Sequence, residues 1–155
     1  MIDIKEVNAD NAERYVAGLS SLIESTIKLP KKAKDSYKQQ WSTEKLITQI
    51  GKWLFLIATD ENNNTIGVIL GTPIEGGVGT IIWVLVDNTS QQKRVGSQLF
   101  EIAKEWYKNK GAHKIKLTVP DRETVEFYTK QGMVLEGEHL NHWWNADFWS
   151  MGLIL

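Results

Sequence analysis

The stretch from Thr80 to Trp106 constrains the fold more than any other part of this 155-residue chain. Residues 80–86, TIIWVLV, are apolar throughout, which predicts a central strand buried on both faces. A polar loop follows, Asn88-Thr89-Ser90-Gln91-Gln92-Lys93-Arg94. Val95, Leu99, Ile102, Ala103 and Trp106 then recur at helical spacing, and Gly111 stands where a C-terminal cap belongs. A buried strand that turns directly into an amphipathic helix must be covered by that helix. The chain is therefore a layered α/β protein.

The remaining segments fit around that unit. Residues 2–7 alternate as a first strand, and residues 10–28 put Tyr15, Leu19, Leu22 and Ile23 on one helical face. Asp10 or Asn11 is placed to cap this helix, Pro30 ends the segment, and Lys31-Lys32-Ala33-Lys34 reads as a solvated loop. A short helix spans about 42–50, and Gly51 stops it. Strands at 53–59 and 65–71 flank the polar turn 60–64 as a hairpin. Residues 114–119 alternate as a strand, Asp121 caps a helix running to about 131, and two strands close the chain at about 133–141 and 147–155. The order β-α-α-β-β-β-α-β-α-β-β predicts one domain over 1–155. Its sheet is mixed and mostly antiparallel, of α/β (α+β) class, flanked by helices.

Composition removes several functions. There is no cysteine, so disulfides, thiolate metal sites and a cysteine acyl-enzyme are excluded. With 18 basic and 19 acidic residues, the chain carries no field suited to a nucleic-acid or membrane binder. No apolar run approaches the ~20 residues of a bilayer span, and the first residues, MIDIK, do not resemble a signal segment. A cytoplasmic location is the expectation. Of seven tryptophans most are expected in the core, but Trp143 and Trp144 are adjacent. On a strand they face opposite ways, so one of them lines a cleft or an interface. The aromatic hairpin they form is read either as a wall of an acceptor cleft or as core or dimer packing, and a homodimer is left open.

A loop that opens a helix presents unpaired N–H groups and a dipole to an anion. Lys93 and Arg94 add charge, and Gly96 allows close approach of a ligand. Alone this is a weak signal, because many such units bind nothing. The loop lacks the GxxxxGK[ST] and GxGxxG spacings of nucleotide sites. However, Gln91 to Gly96 resembles the acyl-CoA signature (Gln/Arg)-x-x-Gly-x-(Gly/Ala) of the GNAT superfamily of N-acyltransferases. Asp121-Arg122-Glu123-Thr124-Val125-Glu126-Phe127-Tyr128-Thr129-Lys130-Gln131-Gly132-Met133 is similar to that family's Asn-x-x-Ala-x-x-Phe-Tyr-x-x-x-Gly-Phe. The element order matches as well.

The resemblance implies acetyl-CoA as co-substrate, an amine acceptor and no metal. It implies a coenzyme site at Leu85, Val86, Gln91, Gln92, Lys93, Arg94, Val95, Gly96, Ser97, Asp121 and Tyr128. A backbone N–H at Val86 would stabilise the oxyanion, and Tyr128 would protonate the leaving thiolate; a core role for Tyr128 is the alternative. Three departures stand out. Arg94 replaces a glycine, Asp121 replaces an asparagine, and Ile82 and Trp83 occupy strand positions where relatives often carry an acidic base. Glu75 is a weak substitute base acting through water. His139 and His142 fall on opposite faces of a strand and lack a third ligand, so they read as surface residues rather than a metal pair. The rival functions are a non-catalytic acyl-CoA-binding module and a protein-interaction domain on the same fold.

Overall fold

A computed structural model describes the backbone of residues 1–155 and every side chain except those of Gln91, Gln92 and Lys93. The elements are β1 (Asp3–Glu6), α1 (Ala12–Thr26), α2 (Lys31–Lys38), α3 (Thr43–Gln49), β2 (Leu54–Thr59), β3 (Thr65–Gly71), β4 (Val78–Val86), α4 (Val95–Asn109), β5 (Lys114–Val119), α5 (Arg122–Lys130), β6 (Val134–His139) and β7 (Phe148–Ile154). Short 3-10 segments at Asn88–Lys93 and Trp143–Asn145 lie in the connections. The strands form one seven-stranded sheet in the order β1-β2-β3-β4-β5-β7-β6. Every pairing is antiparallel except β4 with β5, and β4 is central.

Two apolar layers cover the sheet. On one face Tyr15, Leu19, Leu22 and Ile23 of α1, with Leu46 of α3, pack on Phe55, Ile57, Val68 and Leu70. Each such buried side chain contributes about 1.5–3 kcal/mol. On the other face Leu99, Phe100, Ala103 and Tyr107 of α4, with Tyr128 of α5, pack on Leu54, Leu56, Ile69 and Ile115. Gly67 lets α4 approach the sheet closely, because a Cβ there would come within 2.9 Å of Leu99 and 3.0 Å of Val95.

Several expectations are corrected. Lys31–Lys38 is a helix, not a loop, held by Lys31–Asp35 (3.1 Å) and Lys38–Glu24 (2.9 Å) ion pairs and by buried Ala33. Asn11 occupies the N-cap position of α1, but its side chain accepts from the Asn8 N–H (2.8 Å) instead of capping the helix. Trp143 and Trp144 sit in a 3-10 turn, so strand alternation does not set their directions. β6 ends at His139, and the turn brings the His142 ring back to 5.0 Å from the His139 ring, not to the opposite face. β4 is not buried on both faces either, since Ile82 is 40% exposed. The cause of that exposure creates the site.

Candidate active site

β4 is paired on both sides where it begins and on one side where it ends. Against β5 the parallel register runs only from Val78↔Lys114 to Thr80↔Lys116. Against β3 it continues to Val86, opposite Gly67. Within that ladder Leu70 pairs with Trp83 and Gly71 with Ile81, so Ile82 is an extra, unpaired residue. Such a bulge bends the strand and increases its twist. It also resets which way side chains face: Ile81 joins the α4-side core, whereas Trp83 and Leu85 pack on the α1 side. Past Thr80 the two strands part, and a cleft of about 330 Å³ opens between Ile81–Val86 and Leu117–Asp121.

The ladder also orients the peptide groups. The Asp87 N–H donates to the Ile66 carbonyl at 2.8 Å. Antiparallel bonds recur at every second residue, so Leu85 and Trp83 serve β3 in the same way. The peptide groups of Val84 and Val86 therefore face the side that β5 has left. From the α4 face a second opening of about 480 Å³ is bordered by Arg94, Gly96, Ser97 and Phe127. Val84, Val86, Glu123, Thr124 and Tyr128 border both openings, so these residues are reached from either face of the sheet.

The connection between β4 and α4 is shaped locally. The Asp87 carboxylate accepts from the Thr89 N–H at 3.2 Å, and a 3-10 turn leads to Arg94 in the left-handed conformation (φ 59°, ψ 26°). Helix α4 then begins at Val95; the side chain of its N-cap residue Arg94 makes no capping hydrogen bond, and there is no acidic residue in its first turn. Its N–H groups and dipole are left to face an anion. Val95, expected at the coenzyme, is fully buried in the α4-side core and does not border the opening. The Ser97 hydroxyl accepts from the Gln131 side-chain amide at 3.0 Å. A Cβ on Gly96 would stand 3.4 Å from Phe127 and 3.5 Å from Val86, which is ordinary contact. The glycine is thus not required by the core; it keeps the opening wide. The side chains of Gln91, Gln92 and Lys93, expected at the coenzyme phosphates, lie outside the described residues.

Tyr128 is 4% exposed, and its ring meets Phe100 (5.5 Å) and Phe127 (4.9 Å) edge-on. Burial pushes its hydroxyl above the ordinary tyrosine range. Asp121 borders the cleft, but one carboxylate oxygen accepts from both the Thr124 N–H (2.8 Å) and the Thr124 hydroxyl (2.7 Å) as the N-cap of α5. Leu85 borders the cleft with its side chain in the α1-side core. Glu75 lies in a separate groove with Val78 and Thr80 at the start of β4, away from the strand gap. His139 Nε2 meets the Ser150 hydroxyl, and no cluster of three or more His, Cys, Asp or Glu residues that could hold a metal occurs among the described residues. Sequence reasoning passed over Val84, Glu123 and Thr124. The signals were present: Val84 lies two strand positions from Val86, and Glu123 and Thr124 lie one turn before Phe127 and Tyr128.

The acetyltransferase (GNAT) family model matches residues 25–133. The chain belongs to this family. A GNAT-family acetyltransferase from Streptococcus pneumoniae superposes with a TM-score of 0.83 at 20% identity, covering 100% of this chain and 99% of that one. The PaiA N-acetyltransferase of Thermoplasma acidophilum, solved with coenzyme A, gives 0.76 at 20% identity, covering 100% and 99%. The ribosomal-protein-S18-alanine N-acetyltransferase of Escherichia coli gives 0.76 at 15% identity, covering 99% and 94%. No curated protein sequence matches significantly. The GNAT protein described here is thus an acetyltransferase that uses acetyl-CoA as co-substrate. Among the described residues no helix is long and apolar enough to cross a membrane.

Proposed function

We propose that this acetyltransferase moves the acetyl group directly from acetyl-CoA to a primary amine, with both substrates bound at the parting of β4 and β5. One observation carries the reading: the five residues Val84, Val86, Glu123, Thr124 and Tyr128 border openings on both faces of the sheet. A coenzyme arriving over α4 and an acceptor arriving from the α1 side meet there. The loop and helix mouth at residues 91–97 hold the pyrophosphate, Leu85 and Val86 run beside the pantetheine arm, and Asp121 borders it. The neutral amine attacks the thioester carbon, and a backbone N–H at Val86 faces the developing oxyanion. The C–S bond then breaks, Tyr128 gives its proton to the thiolate, and the new amide's nitrogen loses a proton to water. Tyr128 recovers its proton from solvent. A phenol, ordinarily titrating near ~10, is protonated at neutral pH and available for this role.

Ile82 and Trp83 provide no base on β4, so the amine reaches its neutral form through water or its own equilibrium. The rate at saturating acetyl-CoA and low acceptor should climb with pH, with a midpoint that follows the acceptor. An α-amine near ~7.7–8.0 should level off well before an ε-amine near ~10.4. One fixed ascending limb for all acceptors, erased by Glu123→Gln, would overturn this and name the base. Parallel double-reciprocal lines would contradict direct transfer, since they require a covalent intermediate. The cytoplasmic location expected from the sequence belongs to the same proposal.

A further inference from the structure

The acceptor side of the cleft is backed by three aromatic residues from three distant segments. Trp83 of β4 borders the cleft beside Ile27 and Ile82. The Tyr37 ring of α2 packs edge-on against Trp83, with centroids 5.1 Å apart at 79°. Trp144, from the turn between β6 and β7, packs on Tyr37 at 6.2 Å and donates its Nε1–H to the Tyr37 hydroxyl at 3.0 Å. Trp144 is held in the left-handed region (φ 59°, ψ 28°), unusual for a bulky residue and costly unless its surroundings impose it. The surroundings do impose it. Bonds from the His142 N–H to the Ala146 carbonyl (2.8 Å) and from the Ala146 N–H to the Trp143 carbonyl (3.0 Å) close the turn, and the Asn141 N–H donates to Asp147 Oδ1 (2.7 Å). The strained turn thus delivers an indole N–H to Tyr37 and fixes the ring behind Trp83.

The charged residues that line the cleft are Lys28, Asp121 and Glu123. Lys28 forms no ion pair among the described residues, whereas the Asp121 carboxylate is engaged by Thr124. At about 330 Å³ the cleft is also at the small end of the range for ligand sites.

Resting on the reading of this cleft as the acceptor site, we propose that Tyr37, Trp83 and Trp144 select a primary amine carried on an aromatic skeleton. Trp83 touches the skeleton of the acceptor. Tyr37 and Trp144 are positioning residues that act through it.

The test measures thiol release from acetyl-CoA by the full chain with phenethylamine, a short peptide beginning with phenylalanine, and butylamine. At least one aromatic amine should exceed butylamine about tenfold or more in kcat/KM. A faster phenethylamine identifies a free small-molecule acceptor and a faster peptide an N-terminal residue; either supports the proposal. Trp83→Leu should shrink the preference about tenfold, through KM for the aromatic amine. Tyr37→Phe and Trp144→Phe should each raise that KM about three- to tenfold. The double variant should be no worse than either single, because both remove one hydrogen bond. Equal use of butylamine, no turnover of either aromatic amine, or additive losses in the double variant would overturn the proposal. If acetyl-CoA fails to raise the melting temperature of the parent, the catalytic reading beneath it falls instead.

Discussion

The two sides of the strand gap are built in opposite ways. The side proposed for the coenzyme is made of one contiguous stretch, the end of β4, the turn through Arg94 and the first residues of α4, with one face of α5. The acceptor side is made of side chains from residues far apart, with Tyr37 bonded to Trp144 across 107 positions. A site that reads a diphosphate and a thioester needs N–H groups at a fixed junction, and one strand–turn–helix unit supplies them. A site that reads the acceptor needs shape, which only long-range packing provides. Chemistry and selectivity are therefore separable here, and substitutions on the two sides should fail differently.

The largest effect is expected at the seam. Tyr128→Phe removes one hydroxyl and keeps the ring contacts with Phe100 and Phe127, so folding should persist while turnover falls by roughly 10²–10⁴ for every acceptor. Near-parental turnover, in a regime where chemistry limits the rate, would return Tyr128 to the core. Burial also raises the hydroxyls of Tyr15 and Tyr107. The folded state binds these phenolic protons more tightly than the unfolded chain. The stability they contribute is complete below the ordinary value of ~10 and is lost as pH rises above it. Alkaline melts should show that decline, and Tyr128→Phe should lessen it.

Next comes the mouth of α4. Acetyl-CoA at ~100 times its dissociation constant should stabilise the parent by about 2.7 kcal/mol. Gly96→Leu should abolish that gain without unfolding the protein, because the added side chain grows from a position whose Cβ makes only ordinary contacts. A variant that binds as tightly as the parent would move the coenzyme elsewhere and dissolve the contrast between the two sides. Asp121→Ala should cost about 1 kcal/mol of stability through the lost cap. It should affect coenzyme affinity less than Gly96→Leu, since the carboxylate already serves Thr124. Calorimetric unfolding and titration separate the two readouts.

The same contrast explains what could be read in advance. The element order and the strand–turn–helix unit were legible because turn, cap and period are local signals: Asp121 caps α5 and Gly111 follows α4 as expected. α2 was not legible, because KKAKDSYK has no apolar period and its buried Ala33, its ion pairs and Tyr37's packing on Trp83 depend on tertiary contacts. The bulge at Ile82 was silent for a different reason. Register is read from apolar–polar alternation, and a run that is apolar at every position carries none. Hence the central strand was recognised and its parting from a neighbour near Val86 followed from the family resemblance, while the bulge that bends it was missed. The aromatic wall of Tyr37, Trp83 and Trp144 needed both missing facts.

The smallest expected change is the sharpest test of the claim that the coenzyme side works through backbone. Arg94 stands where the related pattern has glycine, and the structure gives it a glycine-like left-handed conformation (φ 59°). That conformation costs a non-glycine residue about 1–2 kcal/mol. Arg94→Gly removes the strain but adds about 0.4–1 kcal/mol of unfolded-chain freedom, so net stability should rise by no more than ~1.6 kcal/mol. Arg94→Ala keeps the strain and loses the same charge. If the guanidinium at this opening contacts phosphate, both variants should lose acetyl-CoA affinity equally, and both should lose part of its salt dependence. Only the glycine variant should then exceed the parent in melting temperature. If Arg94→Gly binds like the parent while Arg94→Ala binds worse, the position contributes its backbone shape alone, and the side chain points to solvent. Equal loss in both would show that one side chain on this otherwise backbone-built side does part of the recognition.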